Sequence, residues 1–106
     1  MSTLDPNQDH RITLEEAVEM TSNYRHSDTF NGKYGGFFGR ETLLAILNQE
    51  DCAGIRYYYG INNDNEPVIV LVGATADNHD QVDKELAEMA TPCPNCCDEE
   101  SPLRHD

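Results

Sequence analysis

The sequence predicts a small α+β domain: two or three helices packed on a β-hairpin-based antiparallel sheet, followed by a disordered, Cys-rich C-terminal tail. Three observations carry this. Two segments in the first half place apolar residues at helical spacing. A strictly alternating run from Ile55 to Ile61 leads through Asn62-Asn63-Asp64-Asn65 into the continuous apolar run Val68-Ile69-Val70-Leu71-Val72. Proline, cysteine and acid then crowd the end of the chain. A length of 106 residues suits one domain. The expected divisions are a polar lead-in over 1–11, the α+β domain over 12–91 and a Cys-rich acidic tail over 92–106.

The first helix starts at Thr13. Glu16, three residues on, completes a T-x-x-E capping box. Leu14, Ala17, Val18, Thr21 and Tyr24 then mark one apolar face, and the helix should fray near Arg25 and His26. Residues 27–39 hold Gly32, Gly35, Gly36 and Gly39 among Phe30, Tyr34, Phe37 and Phe38. That glycine density predicts a loop whose aromatics tuck onto the core.

A second helix should run from about Arg40 to Glu50, with Leu43, Leu44, Ile46 and Leu47 inward and Gly54 supplying a left-handed exit. In the strand that follows, the period of two sets Ile55, Tyr57, Tyr59 and Ile61 on a half-buried face and leaves Arg56 and Tyr58 on the other. Arg56 and Tyr58 therefore suit a partner surface, as Tyr and Arg are favoured at contact hot spots. Asn62 to Asn65 carry turn chemistry. The run from Pro67 to Val72 reads as a strand buried on both faces. Asp80 to Ala90 reads as a third helix through Val82, Leu86 and Met89, ended by Pro92.

A two-stranded hairpin is marginal alone. Either the 27–39 loop supplies a third strand or two copies pair, which makes a homodimer the expected assembly.

Composition excludes some partners. Twenty Asp plus Glu against seven Lys plus Arg give a net charge of −13, so phosphate backbones and anionic membranes are repelled. No nucleic acid and no membrane is expected as partner; a protein partner is compatible. The opening residues Met1 to Pro6 show neither a basic nor an apolar leader pattern, which predicts a cytoplasmic protein and cysteines used as thiols or metal ligands.

Two segments resemble ion sites. Cys93 and Cys96 have the C-x2-C spacing that grips one tetrahedral ion, and Cys97 adds a third sulfur. His105, Cys52 or a cysteine of a second copy would complete a zinc site. The same Cys-Pro-x-Cys also has the spacing of glutaredoxin-like thiol oxidoreductases. No βαβ unit surrounds it, however, and Asp98-Glu99-Glu100 place negative charge beside any thiolate. Residues 5–16 look like an EF-hand calcium loop: Asp5, Asn7 and Asp9 fall at the first, third and fifth positions, Arg11 and Thr13 at the seventh and ninth, and Glu16 at the twelfth. His10 stands where that loop needs glycine, and no room for an entering helix precedes it. The same residues make an ordinary helix start.

The Gly32–Gly39 stretch matches no phosphate-loop pattern. No catalytic constellation is visible: His10, His26, His79 and His105 are scattered, and no serine lies in a nucleophile motif.

Ile12-Thr13-Leu14-Glu15-Glu16-Ala17-Val18, Tyr24-Arg25, Arg40-Glu41 before Leu43-Leu44-Ala45-Ile46-Leu47, Cys52-Ala53-Gly54-Ile55-Arg56-Tyr57-Tyr58-Tyr59-Gly60, Val70-Leu71-Val72-Gly73 and Cys93-Pro94 with Cys96 together make the chain resemble a group of short uncharacterised bacterial proteins. The resemblance spans 12–97 and implies one compact domain, with no activity to carry over. The sequence therefore points to a non-enzymatic binding or adaptor module. Its expected sites are Cys93, Cys96, Cys97 and His105 for zinc, Cys93 with Cys96 for thiol-disulfide chemistry, and Asp5, Asn7, Asp9 and Glu16 for calcium.

Overall fold

A computed structural model describes residues 3–88 and 91–105. The element order is α1 (Leu14–Arg25), β1 (Gly35–Phe37), α2 (Arg40–Leu47), β2 (Cys52–Ile61), β3 (Pro67–Thr75), β4 (Leu86–Ala87) and β5 (Thr91–Cys93). The α+β class holds, with two helices and two antiparallel sheets. The chain divides into two compact units, one of residues 1–8 and 38–90, the other of 9–37 and 91–106.

The first unit contains every buried residue among those described: Ile46, Leu71, Val72, Gly73 and Ala74. Its sheet has the order β2-β3-β4. β2 and β3 form the expected hairpin, with Tyr57 opposite Leu71 and Tyr59 opposite Ile69. Asn65 turns at a φ of 64°, using the tolerance of asparagine for the left-handed region. Helix α2 drives Ile46, fully buried, into this core. It ends at Leu47, earlier than the apolar spacing predicts. The left-handed residue after it is Asp51, at φ 66°, and Gly54 instead lies within β2, beside the register shift at Cys52 and Gly54.

The third strand comes from the chain itself, as β4, with Val72 opposite Leu86 and Leu71 opposite Ala87. This overturns the helix expected over Asp80–Ala90 in its described part; Met89 and Ala90 lie outside the described residues. The local period of 3.6 lost to tertiary bonds. Gln81 donates its backbone N–H to Gly73 O (2.8 Å) and its side-chain amide to Glu50 O (2.8 Å). Glu85 donates its N–H to Gln49 Oε1 (3.1 Å), and Asp80 bridges to Ala74. Gly73 lets these glutamines close in: a Cβ there would stand 2.5 Å from Gln81 Oε1 and 2.8 Å from Gln49 Nε2.

In the second unit, α1 begins as the sequence predicts. Thr13 accepts from Glu16 N (3.1 Å), and Glu16 Oε1 accepts from Thr13 N (3.0 Å). The Thr13 backbone N–H, and then the Thr13 hydroxyl, both donating to Glu16 Oε1, hold the Glu16 carboxyl below its ordinary pKa. No residue of α1 is buried. Tyr24, Phe30 and Tyr34 stack in sequence, with centroids 5.4 and 5.2 Å apart, and the Arg104 guanidinium lies 4.6 Å over the Tyr34 ring. Arg25 donates to Leu103 O (2.8 Å).

Strand β1 pairs with β5, Gly35 opposite Cys93. The 27–39 segment is thus a loop with a short strand in it, and its partner lies in a tail whose composition predicts no regular element. A three-residue strand shows no readable period, and its partner is distant in sequence.

Candidate functional site

The candidate residues fall in three places. The first is the cysteine turn of the second unit. β5 delivers Cys93, whose carbonyl accepts from Tyr34 N (2.7 Å). Cys96 N donates to Pro92 O (3.0 Å), which folds the chain back on the strand. Cys93 and Cys97 are joined as a disulfide, with Cα atoms 4.9 Å apart, and Cys96, exposed and unbonded, lies within the ring they close. The structure thus joins Cys93 to Cys97, where C-x2-C spacing points to Cys96. His105 Nε2 lies 2.9 Å from Glu99 O, and Cys52 belongs to the other unit, its thiol donating to Gly54 O (3.2 Å). Among the described residues, no three His, Cys, Asp or Glu side chains converge as a metal-holding group.

The second place is the 5–16 segment. Asp5 Oδ1 accepts from Asn7 N (2.8 Å). Asp9 uses both oxygens on Arg11, at 3.0 Å each, and this pairing lowers its pKa. Glu16 is engaged in the helix cap. The residues are those of a calcium loop, while the bonds are those of Asx turns, an ion pair and a capping box.

The third is the hairpin, and here the face of β2 expected to be half-buried stands open towards the Ile61 end. Arg56 and Tyr58, which the sequence suits to a partner surface, are bonded within the chain: Arg56 donates to Asp80 Oδ1 (2.6 Å) and to Asn78, and Tyr58, itself 48% exposed, donates to Asp80 Oδ2. The Arg56 and Asp80 side chains are only 28% and 18% exposed. Tyr57, Tyr59 and Ile61, predicted to be half-buried, are 56%, 82% and 70% exposed. Ile69, opposite Tyr59, joins them. β3 is therefore buried only in its second half, from Leu71 to Ala74.

Lengths explain this. An eight-residue helix is roughly 12 Å long and a ten-residue strand roughly 34 Å. The exit of α2 reaches Gly73 through Gln49, so α2 covers the base of the hairpin and leaves the far half open.

The open patch is uncharged. Tyr57 and Tyr59 meet edge to face at 5.6 Å, and the interaction with Tyr57 raises the Tyr59 pKa. Among the described residues β2 has β3 on one side and no strand on the other. Its ends are acidic: Glu50 and Asp51 precede it, and Asp64 and Glu66 follow it.

No helix among the described residues is long and apolar enough to cross a membrane. No protein-family model matches the chain, and no curated protein or solved structure does.

Proposed function

We propose that this protein is a non-enzymatic binding module that takes up an extended segment of a partner protein along β2. The observation that carries the reading is the neutral patch of Tyr57, Tyr59, Ile61 and Ile69 lying next to an open strand edge. An open edge offers main-chain hydrogen bonds to an incoming strand, and the adjacent face grips alternate side chains. Contiguous apolar exposure with a polar rim marks contact surfaces.

Charge selects the occupant. With Glu50 and Asp51 at one end and Asp64 and Glu66 at the other, the fitting segment is apolar in its centre and basic at both ends. A second copy fits less well. Antiparallel pairing of two β2 edges would set the Glu50-Asp51 end of one against the Asp64-Glu66 end of the other, acid against acid, on molecules of net charge −13. Such repulsion makes the expected homodimer the weaker alternative.

The test uses two synthetic peptides of alternating valine and threonine, one flanked by lysines and one by glutamates, titrated into the full chain by calorimetry. The lysine-flanked peptide should bind, weaken as salt rises, and lose about tenfold or more in affinity on Tyr59→Ala, a loss of at least ~1.4 kcal/mol. Equal binding of both peptides, or none of either, overturns the reading. So does a stable dimer by sedimentation at micromolar concentration that Tyr59→Ala dissociates.

A further inference from the structure

We propose that residues 93–97 form a thiol-disulfide exchange site in which Cys96 carries the Cys93–Cys97 disulfide out to a dithiol substrate. The site lies in the other unit from the hairpin, and the inference stands independently of the binding proposal. It rests on connectivity and exposure together. Cys93 and Cys97 are half-buried, whereas Cys96, between them in the chain, is exposed and unbonded, so the thiol outside the bond is the more accessible. A third thiol inside a disulfide ring is a nucleophile held beside its own target, and exchange rates depend on the access of the sulfur attacked.

The chemistry closes in two stages. In the first, Cys96 gives up its proton and its thiolate attacks Cys93 Sγ. The Cys93–Cys97 bond breaks, a Cys93–Cys96 bond forms, and Cys97 leaves as a thiolate that takes a proton. No electrons enter or leave. The disulfide now includes the exposed sulfur.

In the second stage, one thiolate of an external dithiol attacks Cys96 Sγ, giving a mixed disulfide and releasing Cys93, which is protonated. The second thiol of the donor then attacks the donor sulfur of that mixed bond and releases Cys96. The donor is oxidised to its disulfide by two electrons, and the chain ends with three thiols. Run backwards, with a disulfide as oxidant, the same steps restore Cys93–Cys97. Cys96 acts at the reacting atoms, and Asn95 and Pro94 only span the ring.

The Cys93–Cys96 pair that C-x2-C spacing suggests and the Cys93–Cys97 pair of the fold are thus two isomers of one site.

The experiment oxidises the full chain with glutathione disulfide, maps its bonds by peptide mass spectrometry, and follows reduction by dithiothreitol with alkylation quenching. Cys93–Cys97 should be the main bond and Cys93–Cys96 a minor one. Cys96→Ser should retain Cys93–Cys97 and slow its reduction by about tenfold, while Cys52→Ser leaves the rate unchanged. An unchanged rate in Cys96→Ser overturns the shuttle role, and so does a wild-type map containing no Cys93–Cys96. Should Cys96→Ser lose the β1–β5 pairing, seen in rapid exchange of the Tyr34 amide, reversible alkylation of Cys96 in the oxidised wild type replaces it and must slow reduction likewise.

Discussion

The two units of this chain are held by different forces. In the unit that contains the hairpin, Ile46, Leu71, Val72 and Ala74 are withdrawn from water, and hydrophobic burial supplies the order. In the unit built from α1, β1 and β5, no described residue is buried. Its order comes from a helix cap, stacked aromatics, a three-residue ladder and one disulfide. The same chain thus contains a part that excludes water and a part that is stitched. The stitched part depends on redox conditions through its disulfide, whereas no disulfide is present among the described residues of the buried part. The cysteine turn lies in the stitched part, where breaking its one disulfide leaves no buried residue of that unit exposed.

Three experiments can break or sharpen this contrast. The largest effect should follow Ile46→Ala. Ile46 is fully buried, and truncation to alanine at such a site costs about 2–5 kcal/mol. Amide exchange should accelerate through β2 and β3 and leave the capped α1 amides as they were. Acceleration in both units alike would show that burial in one supports the other.

Reduction of Cys93–Cys97 should act in the opposite place. Closing so short a ring stabilises by about 2 kcal/mol on the chain-entropy account. Dithiothreitol should raise exchange at Tyr34 N, which donates to Cys93 O, while the amides of Val72 and Ala74 stay protected. Loss of protection at Val72 on reduction would contradict the division.

The smallest effect concerns the α1 cap. Thr13→Ala should cost about 1 kcal/mol of local helix stability, read by circular dichroism. Acid should imitate it. The folded pKa of Glu16 is lowered, first by the Thr13 backbone bond and then by its side chain. The carboxylate's contribution is therefore complete above its unfolded value and is lost as pH falls through the lowered folded value. α1 helicity should decline in that acidic window in the wild type and decline less in Glu16→Gln. A helix signal flat through the acid range would remove Glu16 from the cap.

How far the sequence could be read depended on the range of the interaction. α1 was legible because Thr13 and Glu16 are three residues apart and act on each other. The hairpin was legible because alternation and a run of Asn and Asp are local patterns. The strand Leu86–Ala87 was not: its residues have a helical spacing, and the bonds that overrule it come from Gln49, Glu50 and Gly73, far away in the chain.

The candidate site divides the same way. That three cysteines cluster near the end of the chain is plain from the sequence alone. That Cys93 joins Cys97 and leaves Cys96 open is a matter of how β5 and its turn are placed. The exposure of Tyr57, Tyr59 and Ile61 has the same origin, since alternation tells which residues share a face but not which part of a face a neighbour covers.

By itself, then, the sequence determined the α+β class, the helix cap, the hairpin and its turn, the acidic charge and the cluster of thiols, all consequences of composition or of contacts a few residues apart. Only the tertiary structure decided the third strand, the pairing of β1 with the cysteine segment, the choice of disulfide partner and the exposure of Tyr57, Tyr59 and Ile61. Each of those depends on what lies across space from a residue, and burial and long-range hydrogen bonds are properties of the assembled chain.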